Sequence, residues 1–298
     1  MRPLMLALAG LLGMSSIPAV AQEDSVDERW MAEFESSLTY QQGTITLGDG
    51  LATLHVPETF RFLGPDDAAR VLVEGWGNPP GEPPLGMLVP AAVSPLSDEG
   101  WGVVITYEED GYIEDDDAAE LDYAELLRNM QEATREENPA RIEAGYPPIE
   151  LVGWAAPPHY DSTTHKLYWA KELKFGDYAD HTLNYNIRVL GRKGVLVLNA
   201  VSAMRQLEAV EADMQSVLGF VEFNEGHRYA DYIPGVDKVA AYGIAGLIVG
   251  KVAAKVGLLK LLLGFAIAAK KFVVAGVVGL AAVLAKAFGK KEREPDTV

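Results

Sequence analysis

Cysteine is absent from this 298-residue chain, which removes disulfides, thiolate metal sites and cysteine nucleophiles together. That absence fits an oxidising compartment. Catalytic signatures are missing as well. No GxSxG elbow, P-loop or dinucleotide glycine pattern occurs, and Gly75-Trp76-Gly77 lacks the residues a phosphate cradle needs after it. The five histidines, His55, His159, His165, His181 and His227, form no HExxH pair. Carboxylates are so abundant that choosing two as acid and base is arbitrary. An uncharged apolar run of full spanning length is lacking too. The longest such runs near the C-terminus are 239–250 and 272–285, whereas a membrane helix needs about 20 residues.

Positive charge is scarce in the body of the chain. Residues 22–238 hold 15 Lys/Arg against 40 Asp/Glu, while residues 239–298 hold 9 against 3. A body of this sign repels nucleic acid and anionic headgroups and attracts cations and basic partners; the tail does the opposite. Residues 1–21 read as a secretory signal peptide. Arg2 opens it, Leu4–Leu12 is its apolar stretch, and Ala19-Val20-Ala21 is its cleavage site. The rival reading is an uncleaved anchor, for which the apolar run is short.

From Val239 to Phe288 the chain is built of small and aliphatic residues, broken by Lys251, Lys255, Lys260, Lys270, Lys271 and Lys286. These lysines scatter around a helical wheel and give no polar face, so membrane residence is favoured. Each lysine at bilayer depth costs about 2.5–3.5 kcal/mol, relieved where the stem can snorkel. Two short tilted spans with Lys270-Lys271 at the tip fit this pattern; one span with an interfacial helix also fits. Gly246 and Gly250 form a GxxxG pair that permits close helix packing. A buried hydrophobic hairpin in a soluble oligomer is the alternative.

Between the ends the patterning predicts an α+β domain, mainly antiparallel sheet with a few packed helices. Thr44–Leu47, Gly48-Asp49-Gly50 and Leu51–Val56 make a hairpin. Gly64 opens a helix through Val73, and Gly75–Gly81 is a loop. Trp101–Tyr107 is a strand. A helix is expected from Ala118 to about Glu137, with Leu121, Leu126, Leu127 and Met130 buried and Asn138-Pro139 as its stop. Alternation over Leu167–Phe175 and Leu183–Val189, followed by Val195–Val201, predicts a meander. A helix over Ala203–Leu218 and a strand over Phe220–Phe223 complete it. The expected division is signal 1–21, leader or tether 22–40, acidic extracytoplasmic domain 41–235, membrane-anchoring helices 236–289 and polar tail 290–298.

Three sites are candidates. The acidic run from Tyr107 to Asp117 partly matches an EF-hand loop, with Asp110, Glu114 and Asp117 as ligands for Ca2+. Against this, the first ligand place falls on Thr106 inside a strand, and the last is Asp in place of a bidentate Glu. A solvated loop capping the next helix is the plainer reading. Second, Trp154, Tyr160, Asp161, His165 and Trp169 gather aromatic and hydrogen-bonding groups around the stiff Pro157-Pro158 loop, a surface for a peptide or glycan, unless they merely anchor that loop. Third, Lys251, Lys255, Lys270 and Lys271, with Gly246 and Gly250, would meet the membrane.

Several runs arrive in a recognisable order: Gly75–Pro80, Asp110-Gly111-Tyr112, Asp115–Ala118, Trp154–Asp161, Leu167–Ala170, Val189–Arg192 and Gly226–Tyr232, followed by the lysine-spaced tail. In this the chain resembles a bacterial family of uncharacterised membrane-anchored proteins, domain of unknown function 2167, over about residues 38–289. The resemblance implies an envelope location and a C-terminal anchor, and carries no catalytic residues. By element order the fold is similar to the PsbP/Mog-one-like α+β sandwich. The expected function is a membrane-anchored envelope binding or scaffold module, with its main domain in the periplasm or outside the cell. Its partners would be membrane lipid and a basic envelope protein or cell-wall component, not nucleic acid. The competing expectations are a hydrolase-like site near Asp161 and His165, and a membrane-active tail.

Overall fold

The computed structural model describes residues 26–249, Pro79 excepted. Helix α1 (Val26–Ser36) precedes four short strands, β1 (Tyr40–Gln41), β2 (Gly43–Leu47), β3 (Ala52–Val56) and β4 (Phe60–Leu63). Helix α2 (Pro65–Arg70) continues into one wide π turn over Val71–Gly75, and β5 (Gly86–Pro90) and β6 (Gly102–Glu108) follow. Next come α3 (Tyr123–Glu143) and the long strands β7 (Ile149–Asp161), β8 (Lys166–Phe175), β9 (Thr182–Leu190) and β10 (Val195–Ala203). Helix α4 (Leu207–Val217), β11 (Val221–Phe223) and α5 (Ile244–Val249) close the described chain.

Eight strands form one sheet in the order β1-β4-β5-β6-β10-β9-β8-β7, every neighbouring pair antiparallel. A smaller sheet runs β11-β3-β2. Alternation assigns the faces. Leu183, Tyr185, Ile187 and Val189 of β9 share a core with Leu54 of the small sheet and with Val210 and Met214 of α4. The opposite face carries two separate helical patches. Phe34 of α1 and Val71 and Leu72 beyond α2 cover Met87 and Val89 of β5. At the other end, Met130 of α3 and Ile244, Leu247 and Ile248 of α5 cover Leu167, Trp169 and Leu173 of β8. This is an α+β sandwich of mainly antiparallel sheet with a few helices.

The expected hairpin and meander are present, and of the expected stripe Met130 is buried while Leu126 and Leu127 of α3 and Leu121 before it are partly buried against the same core. Three elements differ from the sequence reading. Helix α3 starts later, at an Asp122 cap whose carboxylate accepts from the N–H groups of Ala124 (2.9 Å) and Glu125 (3.0 Å). It also runs past Pro139, because Asn138 fastens its last turns to the sheet. That side chain donates to the Ile149 carbonyl (2.9 Å) and accepts from the Ile149 N–H (2.8 Å). Second, Trp154–Asp161 is not a loop. It belongs to β7, among the described residues an edge strand pairing only with β8, where Pro157 and Pro158 remove no ladder bond from a second neighbour. Register shifts between Leu151/Gly153, Trp154/Ala156 and Ala156/His159 absorb them.

The third difference concerns residues 239–249, expected to open the membrane segment. Here they are part of the domain: Ile244, Leu247 and Ile248 are 0%, 6% and 2% exposed against α3 and β8. Among the described residues no helix is long and apolar enough to cross a membrane. The expected signal peptide, the remainder of the apolar segment with Gly250, Lys251, Lys255, Lys270 and Lys271, and the polar tail lie outside the described residues.

Candidate functional site

The acidic loop after β6, the β7–β8 turn and the returning segment 226–245 meet at one edge of the large sheet. Each contribution begins locally. At the β7–β8 turn, the Asp161 carboxylate accepts from the Thr163 N–H and the Thr164 hydroxyl, both at 2.8 Å. Those bonds stabilise its ionised form and hold its pKa below the usual carboxylate value. The turn closes through His165 at φ 51°, the one non-glycine residue with positive φ among the described residues. Its ring lies on Tyr229, with centroids 4.0 Å apart.

Tyr229 begins a stack. Its ring lies 4.4 Å from that of Tyr112, and Tyr112 lies 3.9 Å from Tyr232. The Tyr229 hydroxyl donates to the Ile113 carbonyl at 2.8 Å. Beside the stack, the Tyr160 hydroxyl donates to Asp115 Oδ2 at 2.5 Å and lies 3.1 Å from His165 Nδ1. The imidazole is 3.6 Å from the same carboxylate. Burial, and then the bond to Asp115, drives the Tyr160 pKa well above its ordinary 10.0. The phenol therefore stays neutral and donating at physiological pH, a bracing group and a poor nucleophile. Tyr229 and Tyr242 are raised in the same direction, burial again being the first cause.

The main chain makes the join continuous. The Tyr112 N–H donates to the Lys238 carbonyl and the Ala240 N–H donates back to the Tyr112 carbonyl, each at 2.8 Å. Gly111 donates to the Lys193 carbonyl at 3.0 Å. Arg192 grips Asp237 with two nitrogens at 2.7 and 3.0 Å, and that carboxylate side chain is 3% exposed. This bidentate pair holds Asp237 below its ordinary pKa.

Asp110, Asp115 and Asp117 of the loop are thus committed to the protein itself. Asp110 accepts from the Tyr242 hydroxyl. Asp117 accepts from the N–H groups of Ile244 (2.9 Å) and Ala245 (3.1 Å) at the start of α5. Glu114 is exposed. The structure does not gather Asp110, Glu114 and Asp117 around one point, and among the described residues no three His, Asp or Glu groups could hold a metal ion. Gly246 serves a local need: a Cβ there would meet the Tyr242 side chain at 2.7 Å. Removing the Asp117 cap should cost about 1 kcal/mol. Asp117→Ala is expected to lower the unfolding free energy from urea titration by that amount and speed amide exchange at Ile244 and Ala245. Asp117→Asn keeps one acceptor oxygen for the two N–H groups and loses the charge, so it should recover only part of that loss; equal behaviour of the two variants would disprove the capping role.

Of the predicted aromatic surface, Tyr160 and His165 come together, but Asp161 turns away to close its own turn. Trp154 is half-buried, donating to the Tyr123 carbonyl at 3.1 Å. Trp169 is 1% exposed and belongs to the core. Asp115, Tyr112, Tyr229 and Tyr232 escape the sequence reading as site residues. The usable signal is the clustering of tyrosines at 229, 232 and 242 after a sheet that needs none of them. Elsewhere, a cavity of about 220 Å³ is lined by Glu172, Asp180, His181 and Arg205 among others. There His181 Nδ1 lies 2.5 Å from Glu172 Oε1. It is smaller than the ~300–1,000 Å³ typical of ligand pockets.

Fold and site together define an antiparallel α+β sandwich whose acidic loop and stacked tyrosines clasp its own C-terminal continuation. The chain belongs to the family described as "Protein of unknown function (DUF2167)", whose model matches residues 39–281. A comparison with curated proteins finds no match. Among solved structures, it is similar to cyanobacterial PsbP (CyanoP) from Synechocystis sp. PCC 6803, at 12% identity and a TM-score of 0.34, covering 63% of this chain and 93% of that one. Another is the Ran-binding protein Mog1p of Saccharomyces cerevisiae, at 13% identity and a TM-score of 0.30, covering 62% and 96%. A point mutant of the protein Mog1 aligns at 12% identity and a TM-score of 0.31, with the same coverages of 62% and 96%.

Proposed function

We propose that the protein is a membrane-tethered envelope module that binds or scaffolds and does not catalyse. The carrying observation is the clasp: residues 238–245, immediately before the lysine-spaced apolar stretch, are tied to the domain by backbone pairing and by the Asp117 cap. A domain joined in this way holds a fixed orientation to whatever its continuation enters. The charge division supports the same reading, because an acidic body beside a basic apolar segment is pushed off an anionic surface while the segment is drawn to it. A basic envelope protein or cell-wall component is the partner such a body would attract.

The test is fractionation of the full chain and of a chain ended after Val249, expressed in a bacterial host. The full chain is expected in the membrane pellet after a high-salt wash, and the shortened one in the periplasmic extract. Identical partitioning of both would defeat the tether. Pull-down from membranes at low and high salt tests the partner; the absence of any salt-sensitive partner would defeat the binding role.

A further inference from the structure

On its helical side the large sheet carries a cationic patch, in which Glu108 acts on Arg188 and no acid among the described residues pairs with Lys171. Its position follows from register. On β8, Trp169 and Lys171 lie opposite Asn186 and Asn184 of β9, and Asn186 lies opposite Asn199 of β10. Arg188 of β9 points to the same face, with its guanidinium 5.0 Å from the Trp169 ring centroid. Of the described helices, α5 packs over Trp169, α3 packs on β7, and α2 on β4 and β5.

Lys171 is half-buried, yet among the described residues its ammonium has no hydrogen bond and no ion pair. Arg188 donates only to the Ile187 carbonyl at 3.2 Å. Three amides lie between them. Asn184 Nδ2 donates to Asn199 Oδ1 at 2.8 Å, and Asn186 Nδ2 donates to Asn184 Oδ1 at 3.0 Å. That chain leaves the Asn199 amide N–H groups unused among the described residues. Asn184 and Asn186 are 3% and 4% exposed.

Burying a cation without a counterion is costly, and burying two beside each other more so. Burial, then the field of Arg188, pulls the Lys171 ammonium down to about 8. Burial pulls Arg188 down to about 10 despite the opposing fields of Glu108 and Tyr242. The residues opposite Lys171 are Trp154 and Asn184, and no carboxylate among the described residues pairs with it.

We propose that Lys171, Arg188 and the Asn184–Asn186–Asn199 amides form a binding site for a phosphate-type dianion. Arginine offers a planar fork for two oxygens, lysine a point charge for a third, and Asn199 a neutral donor. Two positive charges match a dianion better than a single carboxylate. The long-range field of the body opposes any anion, so capture rests on these local contacts.

The experiment titrates the full chain with inorganic phosphate at fixed ionic strength held by chloride, reading the thermal midpoint and calorimetric heat. A saturable rise in midpoint is expected. Lys171→Met should weaken binding at least tenfold, in keeping with the loss of one charge-assisted bond. Without phosphate, this variant should be no less stable than the native chain, since it removes an uncompensated charge. In the native chain, affinity expressed per phosphate dianion, with phosphate's own second ionisation taken into account, should fall about tenfold as pH rises from 7 to 9 and Lys171 loses its proton; Arg188 stays charged, and Tyr242, raised by burial, stays neutral over that range. Vesicles containing phosphatidic acid, a phosphomonoester, separate a headgroup from a soluble source, and Lys171-dependent binding of either probe supports the site. Binding of neither, binding indifferent to Lys171→Met, or binding flat across that pH range overturns it.

Discussion

Gly111→Ala is expected to unfasten residues 238–240 and to lower the melting temperature by about 6–12 °C. The residue sits at φ 114°, where L side chains are strained by about 1–3 kcal/mol. A Cβ would also lie 2.7 Å from the Lys238 carbonyl oxygen and 3.0 Å from the Ala240 nitrogen. Both are backbone atoms, so no flexible side chain can swing aside. Relief requires Tyr112 to give up its paired bonds with Lys238 and Ala240, which the Tyr112–Tyr232 stack depends on. Taken together, about 3 kcal/mol is a reasonable loss, and for a domain of this size each kcal/mol is worth about 2–4 °C. Proteolysis should then cut between Tyr232 and Tyr242 before the sheet unfolds. A melting temperature within about 2 °C of native, with unchanged cleavage, would show that the clasp is not held there.

Such a result would give the charge division a physical location. Counted along the sequence, the sign changes near residue 238. In the fold, Lys238 is where the chain pairs with Tyr112 of the acidic loop. Asp117 and Asp110 of that loop meet backbone N–H groups and a phenol of the returning segment. The most charged stretch of the chain is therefore the seat of its own C-terminal continuation.

Legibility follows the range of the interactions. The hairpin and meander declare themselves because their signals are local: alternation, glycine turns and adjacent strands. The apolar stripe of α3 does so for the same reason. Pro157-Pro158 reads as a loop because proline removes a donor, and only the sheet order reveals that β7 is an edge strand where this does not matter. The run 239–250 reads as membrane because it is apolar, and apolarity does not distinguish lipid from the surface of α3. Likewise Asp110 and Asp117 have calcium-loop spacing, but their partners Tyr242 and Ile244 lie more than a hundred residues away. Spacing within a loop cannot report a partner at that separation. Tyr160 and His165 are legible because both stand on one turn; Asp115 is not, because it comes from another loop.

Trp169 is where the core and the cationic patch test each other. Its ring is 1% exposed between α5 and the sheet, but its indole nitrogen has no hydrogen-bond partner among the described residues. Trp169→Ala is expected to cost about 3–5 kcal/mol, the usual penalty for emptying so large a buried site. Trp169→Phe should cost much less, about 1 kcal/mol, since it also removes an orphan N–H whose burial costs about 1–3 kcal/mol. It keeps an aromatic face under Arg188, so phosphate affinity should survive in the Phe variant and fall in the Ala variant. Urea unfolding at constant slope and phosphate titration give the two readings independently. If Phe proves as destabilising as Ala, the indole N–H has a partner in solution and the packing account is wrong. If both variants bind phosphate like the native chain, the aromatic platform does not position Arg188, and the site must rest on Lys171 and the asparagines alone.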